Sequence, residues 1–277
     1  MGSRQLAESA TAGLRRAGVR RLFGLPGGGP NLDLIGAAHD LPFTLAHGET
    51  AACVMAGAFG LLTGTPGVAV VTRGPGVTSA ANGLAQATLD RAPLLLVSDR
   101  VTADQRRRVA HQRLDQHRRR GRAHARRLPF WPVTHPRGLL ISNGLATMGY
   151  ALPAAIGAAL TGARVVCLTG DGGLGMVLAE LETVARLALP VTVVVFNDAT
   201  LSLIAIKQGA GQGDATAVRY SAVDLAGAAA ALGVPSAAVD SAADAGKVLR
   251  AAGHGPFLLD ARVDPAGYRH LMAVSRG

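Results

Sequence analysis

Aromatic side chains are scarce in this chain: one Trp, three Tyr and six Phe, 4% of 277 residues. A nucleic-acid surface built by stacking bases on interleaved aromatics therefore lacks its material. There are two cysteines, Cys53 in one half and Cys167 in the other, which argues against a disulfide framework and for a reduced, cytoplasmic setting. No apolar run reaches the roughly 20 residues of a membrane span, and the start, Gln5 to Ala17, reads as an amphipathic helix rather than a secretory signal. No membrane partner is expected. The eight histidines never fall at a metal-ligand spacing, so a zinc site is not indicated.

Acidic residues are also few, 18 against 28 Lys and Arg, but the imbalance is local. Residues 106–127 hold ten arginines and one acid, Asp115, and so carry +9 of the +10 net charge. The rest of the chain is about neutral. A sequence pI near 11.0 would ordinarily suggest a nucleic-acid or anionic-membrane partner. Confined to one low-complexity stretch, the charge reads as a solvated linker instead, with Phe130 and Trp131 just beyond it.

What is abundant is glycine, 36 residues, placed between short apolar runs. The run from Leu168 to Ile206 is the most informative: LTGDGGLGMVLAELETVARLALPVTVVVFNDATLSLIAI. Arg164 to Thr169 reads as a strand, Gly170-Asp171-Gly172-Gly173 turns into a helix continuing to Leu187, and Val191 to Phe196 is a buried strand of the parallel type. Asp171 and Asn197 then stand at the carboxyl ends of two strands, the edge where open α/β sheets bind ligands. Glycines at a helix start admit an anion to backbone N–H groups, and hard oxygen donors suit Mg2+ shared with phosphates.

GDGG followed by FND, with Thr147 to Leu160 (TMGYALPAAIGAAL) upstream, resembles the diphosphate-binding half of the thiamine-diphosphate-dependent 2-keto acid decarboxylase and acetolactate synthase-like family. The resemblance implies Asp171, Asn197 and the carbonyl of Ala199 as Mg2+ ligands. It also implies Gly170, Gly172, Gly173 and Leu174 against the diphosphate, and Met148 as the bulky residue that props the cofactor. The fold it implies is α/β, two doubly wound parallel-sheet domains of the thiamine-diphosphate-binding type.

The N-terminal half supplies matching text from Phe23 to Arg100. Strands are expected at Val19 to Gly24, Phe43 to Ala46, Gly67 to Thr72 and Leu94 to Ser98, with helices from Glu49 to about Leu62 and from Val77 to Leu89. The resemblance matches Glu49 to the family's cofactor-activating glutamate, which shares its proton with the aminopyrimidine ring. That role asks for a carboxyl able to hold a proton, hence one desolvated by the apolar helix around it. Gly74, Pro75, Gly76 and Asn82 match the pyrimidine-side loop. His47 stands two residues before Glu49, not immediately before it as in many relatives, and reads as solvent-facing or structural.

After the metal motif, Ile204 to Gln208 leads into a glycine-rich stretch, 209–218, that reads as a lid, with Leu201, Leu203, Ile204 and Gln208 as candidate substrate contacts. A helix at 221–232, a strand at 237–239, a helix at 242–252 and a strand at 255–263 complete the second sheet.

The domains expected are 1–104, pyrimidine-binding; 105–139, an Arg-rich linker where full-length relatives carry a middle domain; and 140–277, diphosphate-binding. A flavin, held in some relatives through that middle domain, is not expected. Because the family builds its site from two subunits, a homodimer or dimer of dimers is implied. The function implied is decarboxylation of a 2-keto acid with or without carboligation, as a lyase or transferase. Two alternatives stay open: a catalytically idle remnant left by internal deletion, and a basic tethering or nucleic-acid protein on a retired enzyme fold.

Overall fold

The apolar runs between the glycine turns form parallel strands, four in each half of the chain. The structure, a computed structural model, describes residues 3–27, 30–99, 137–142, 145–208, 218–264 and 268. Most of the Arg-rich linker, and residues 209–217 of the lid expected at 209–218, lie outside the described residues. The chain divides into two units, 1–163 and 164–277.

In the first unit, β1 (Leu22–Gly24), β2 (Phe43–Leu45), β3 (Gly67–Val71) and β4 (Leu94–Ser98) form one parallel sheet in the order β2-β1-β3-β4. Successive side chains of a strand point to opposite faces, and β1 shows how both faces are used. Leu22 joins Leu14, Val19, Leu34, Ala38, Val68 and Val70 in a core with α1 (Ser3–Arg16) and α2 (Pro30–Ala37). Phe23 instead meets Phe59 of α3 (Glu49–Thr63) edge to face, with centroids 5.7 Å apart. Helices thus cover both faces, as a doubly wound sheet requires.

α3 is buried without interruption from Ala51 to Gly60. Small residues allow this: a Cβ on Gly83 of α4 (Pro75–Leu89) would come within 2.6 Å of Cys53 Cβ and 2.7 Å of Thr50 O. On its other side, a Cβ on Gly157 of α5 (Ala151–Ala159) would fall 2.3 Å from Met55 O. α5 therefore packs within the first compact unit, which ends at residue 163.

In the second unit, β5 (Val165–Gly170), β6 (Val191–Asn197), β7 (Ser236–Val239) and β8 (Phe257–Arg262) form a parallel sheet in the order β5-β6-β8-β7. Val191, Val193 and Val195 of β6 are fully buried. Edge strand β5 alternates, with Cys167 buried but Val166 and Leu168 48% and 43% exposed. The helix expected from the glycine turn to Leu187 is two pieces, α6 (Asp171–Gly175) and α7 (Glu180–Arg186), parted by a turn at residues 176–179. α8 (Ser202–Gln208), α9 (Leu225–Ala231) and α10 (Ala242–Ala251) complete the unit; α9 is shorter than expected and starts at the side-chain cap of Asp224. α2 was not anticipated, since Pro30 and the preceding glycines hide its start.

Candidate functional site

Glu49 sits in the first turn of α3, after Gly48 in extended conformation, where a carboxylate is favoured by the helix dipole. It is half-buried. The loop matched to the cofactor's pyrimidine side lies against it. Gly74 caps α4 at φ 68, ψ −111, a conformation that only glycine adopts readily, and Pro75 opens the helix. A Cβ on Gly76 would stand 3.3 Å from Glu49 Oε1 and 2.8 Å from Thr72 Cγ2, so only glycine lets this backbone approach the carboxylate. Glu49 also raises the Cys53 thiol, after burial, which together push it up to about 12.

Nearly two turns along α4, Asn82 is exposed, and its Oδ1 lies 3.3 Å from Thr147 Oγ1. Gln86, 2% exposed, organises this corner, and sequence reasoning missed it. Its Oε1 accepts hydrogen bonds of 2.8 Å from both Ser142 Oγ and Thr147 Oγ1, while Nε2 donates to Asp90. The strand of chain leading to Met148 is thereby fastened to α4. Met148 itself is 47% exposed, so it does not fill the core.

In the second unit, Gly170 pairs with Phe196 in the β5–β6 register, which places Asp171 and Asn197 side by side at adjacent strand ends. Both are 8% exposed. Asp171 Oδ1 accepts from Gly172 N and Oδ2 from Ala199 N, each at 2.8 Å. The Gly172 N–H, assigned by resemblance to the diphosphate, is thus engaged by Asp171. Ala199 has φ 53, a left-handed backbone that costs a non-glycine residue about 1 kcal/mol. Its carbonyl accepts from Tyr220 N at 3.2 Å.

Both N–H groups of the Asn197 amide are committed. Nδ2 donates to Asp260 Oδ1 at 3.0 Å and to Val223 O at 3.3 Å, leaving Oδ1 as the free end. Burial raises the Tyr220 phenol, and a hydrogen bond to Asp171 and the charges of Asp171 and Asp198 raise it further. Tyr268 is raised by burial and then by the charges of Asp198 and Asp171.

The carboxylate, amide oxygen and backbone carbonyl are all hard oxygen donors of the kind Mg2+ takes. Among the described residues no three His, Cys, Asp or Glu cluster. Of the candidate substrate contacts, Leu201 donates its N–H to Val218 O at 2.8 Å and Ile204 is 42% exposed. Leu203 and Gln208 lie in α8, but their side chains lie outside the described residues. No helix among the described residues is long and apolar enough to cross a membrane.

Comparison with known proteins gives this arrangement a family. The N-terminal TPP binding domain of thiamine pyrophosphate enzymes matches residues 4–118, and the C-terminal TPP binding domain matches residues 122–261. The two matches nearly abut, so no middle domain separates them. Acetolactate synthase of Bacillus subtilis is 38% identical over 133 residues, covering 47% of this chain and 23% of that protein. Acetolactate synthase isozyme 1 large subunit of Escherichia coli is 34% identical over 140 residues, covering 48% and 25%. The chain thus matches about a quarter of the length of these relatives. A solved thiamine diphosphate-dependent 4-hydroxybenzoylformate decarboxylase of Rhodococcus jostii RHA1 shares the fold, with a TM-score of 0.73 at 12% identity, over 93% of this chain and 99% of that one. Matched in both of its halves, the chain belongs to the thiamine pyrophosphate enzyme family.

Proposed function

We propose that the chain is a thiamine-diphosphate- and Mg2+-dependent enzyme of 2-keto acids, acting in the acetolactate synthase-like manner as a transferase or lyase. The observation that carries this reading is the pairing of Asp171 and Asn197 at adjacent strand ends, with the Ala199 turn hydrogen-bonded to the same carboxylate. Asp171, Asn197 Oδ1 and the Ala199 carbonyl would hold Mg2+. Gly170, Gly173 and Leu174 would line the diphosphate, with Met148 beside the cofactor.

Bound there, thiamine diphosphate supplies the carbanion chemistry that breaks or forms a carbon–carbon bond next to a carbonyl. The protein's part is positional. Glu49 holds a proton at its carboxyl oxygen for the aminopyrimidine, and Gly76 keeps the chain close to that oxygen without obstructing it. Gly74, Pro75 and Asn82 shape the pyrimidine side. Leu201, Leu203, Ile204 and Gln208 would contact the substrate. A cytoplasmic homodimer of domains 1–104 and 140–277, joined by 105–139, is the proposed working form.

The test is calorimetric titration of the full chain with thiamine diphosphate, with and without Mg2+, beside a light-scattering mass and an assay of carbon dioxide release from 2-keto acids. Saturable Mg2+-dependent binding to a dimer with turnover is the expected result. Binding without turnover of any 2-keto acid would sink the enzymatic part, and no binding would sink the whole.

A further inference from the structure

The fully buried Asp260 of β8 is an expensive residue to place inside a sheet. It is 0% exposed, sits on a strand flanked by β6 and β7, and its Oδ2 has no hydrogen-bond partner among the described residues. A carboxylate stripped of water costs several kcal/mol unless bonds compensate, and an apolar residue of similar volume would be cheaper for stability alone. Its Oδ1 makes one bond, to Asn197 Nδ2 at 3.0 Å. The register explains the reach. Asp260 pairs with Val195, and Asn197 lies two residues further along β6, on the same face as Val195.

An asparagine amide has two ends of nearly equal size, one an acceptor and one a double donor. Turned one way it offers oxygen to a cation; turned by 180° it offers two partially positive hydrogens. Asp260 Oδ1 and Val223 O are both acceptors, and together they engage the donor end. We infer that Asp260 is a positioning residue that fixes the Asn197 amide with its oxygen outward, and so sets the chain's affinity for the divalent cation of the thiamine diphosphate site. This rests on the functional reading above.

The experiment measures Mg2+-dependent binding of thiamine diphosphate to the full chain by calorimetry in wild type, Asp260→Leu and Asp260→Asn. It also follows exchange of the Asn197 side-chain amide protons by NMR in wild type, assigned by their loss in Asn197→Asp. Asp260→Leu is expected to weaken Mg2+ binding on the order of 10- to 100-fold, the range for groups that orient metal ligands. Asp260→Asn, which keeps volume and an oxygen acceptor, should weaken it less. The Asn197 amide protons should exchange slowly and persist when Mg2+ is added.

Equal Mg2+ affinity in wild type and Asp260→Leu would overturn the inference and leave the functional reading standing. If the leucine variant does not fold, the NMR decides: fast exchange of both Asn197 amide protons overturns it, and protection supports it. A wild type without Mg2+-dependent binding removes the functional reading and this inference with it.

Discussion

The two halves place their candidate site groups by opposite means. In the N-terminal unit Glu49 is positioned by the absence of side chains, since Gly76 and Gly83 bring backbones within contact of Glu49 and of the start of α3. In the C-terminal unit Asp171 and Asn197 are positioned by hydrogen bonds, to Gly172, Ala199, Val223 and Asp260. A site set by close approach breaks when volume is added, and a site set by hydrogen bonds breaks when an acceptor is removed. The two candidate half-sites should therefore be disabled by conservative changes of quite different kinds.

The largest effect expected is at the hydrogen-bonded half. Asp171→Ala should abolish Mg2+-dependent binding of thiamine diphosphate in calorimetry, since it removes a ligand and the bond that secures Ala199. Glu49→Gln should instead keep cofactor binding while lowering turnover on the order of 100-fold or more, the usual cost of a lost proton-transfer group. Measuring both quantities in both variants tests whether the halves divide their labour as described.

At the glycine half, Gly83→Ala should destabilise the fold by about 1–3 kcal/mol in urea unfolding, because its Cβ would overlap Cys53 and the Thr50 carbonyl. An unchanged midpoint would mean that α3 and α4 separate easily.

The pH prediction uses Cys53 and Cys167, both buried and both pushed up to about 12 from an ordinary 9.0. Burial penalises the thiolate, so the folded protein keeps these protons while the unfolded chain loses them above pH 9. Stability should be full below pH 9 and fall from there toward pH 12 by about 1.4 kcal/mol per pH unit per thiol. Urea unfolding at pH 8 and pH 10.5, in wild type and in Cys167→Ala, measures this; an equal loss in both would refute it. The smallest effect belongs to Tyr220→Phe, which removes one hydrogen bond to Asp171 and should change Mg2+ affinity only a few-fold.

Much of this was legible in the residues. The valine-rich runs of β3 and β6 announced buried parallel strands, and GDGG with FND marked the two strand ends that the register then set side by side. α2 was hidden behind its own glycines. The amphipathic pattern after Asp171 runs on through residues 176–179, where the chain turns, so it does not reveal that the helix is in two pieces. Gln86 and Asp260 carry no motif, but Asp260 left a trace: an acid inside the apolar strand FLLDAR is a buried polar group waiting for a partner. The placement of α5 along α3 was beyond reach, since it follows from one glycine meeting one carbonyl across about 100 residues of chain.

The burial of α3 from Ala51 to Gly60 also has a meaning in time. A helix walled in by β-strands and by α4 and α5 cannot shed its amide protons through local fraying, and must wait for the whole unit to open. Its amides should be the slowest clock in the N-terminal unit, and Glu49, in the partly exposed first turn of that same helix, sits where the clock begins to run fast. The carboxylate proposed to serve the cofactor is thus rooted in the most buried helix of its unit, at the end where that burial begins.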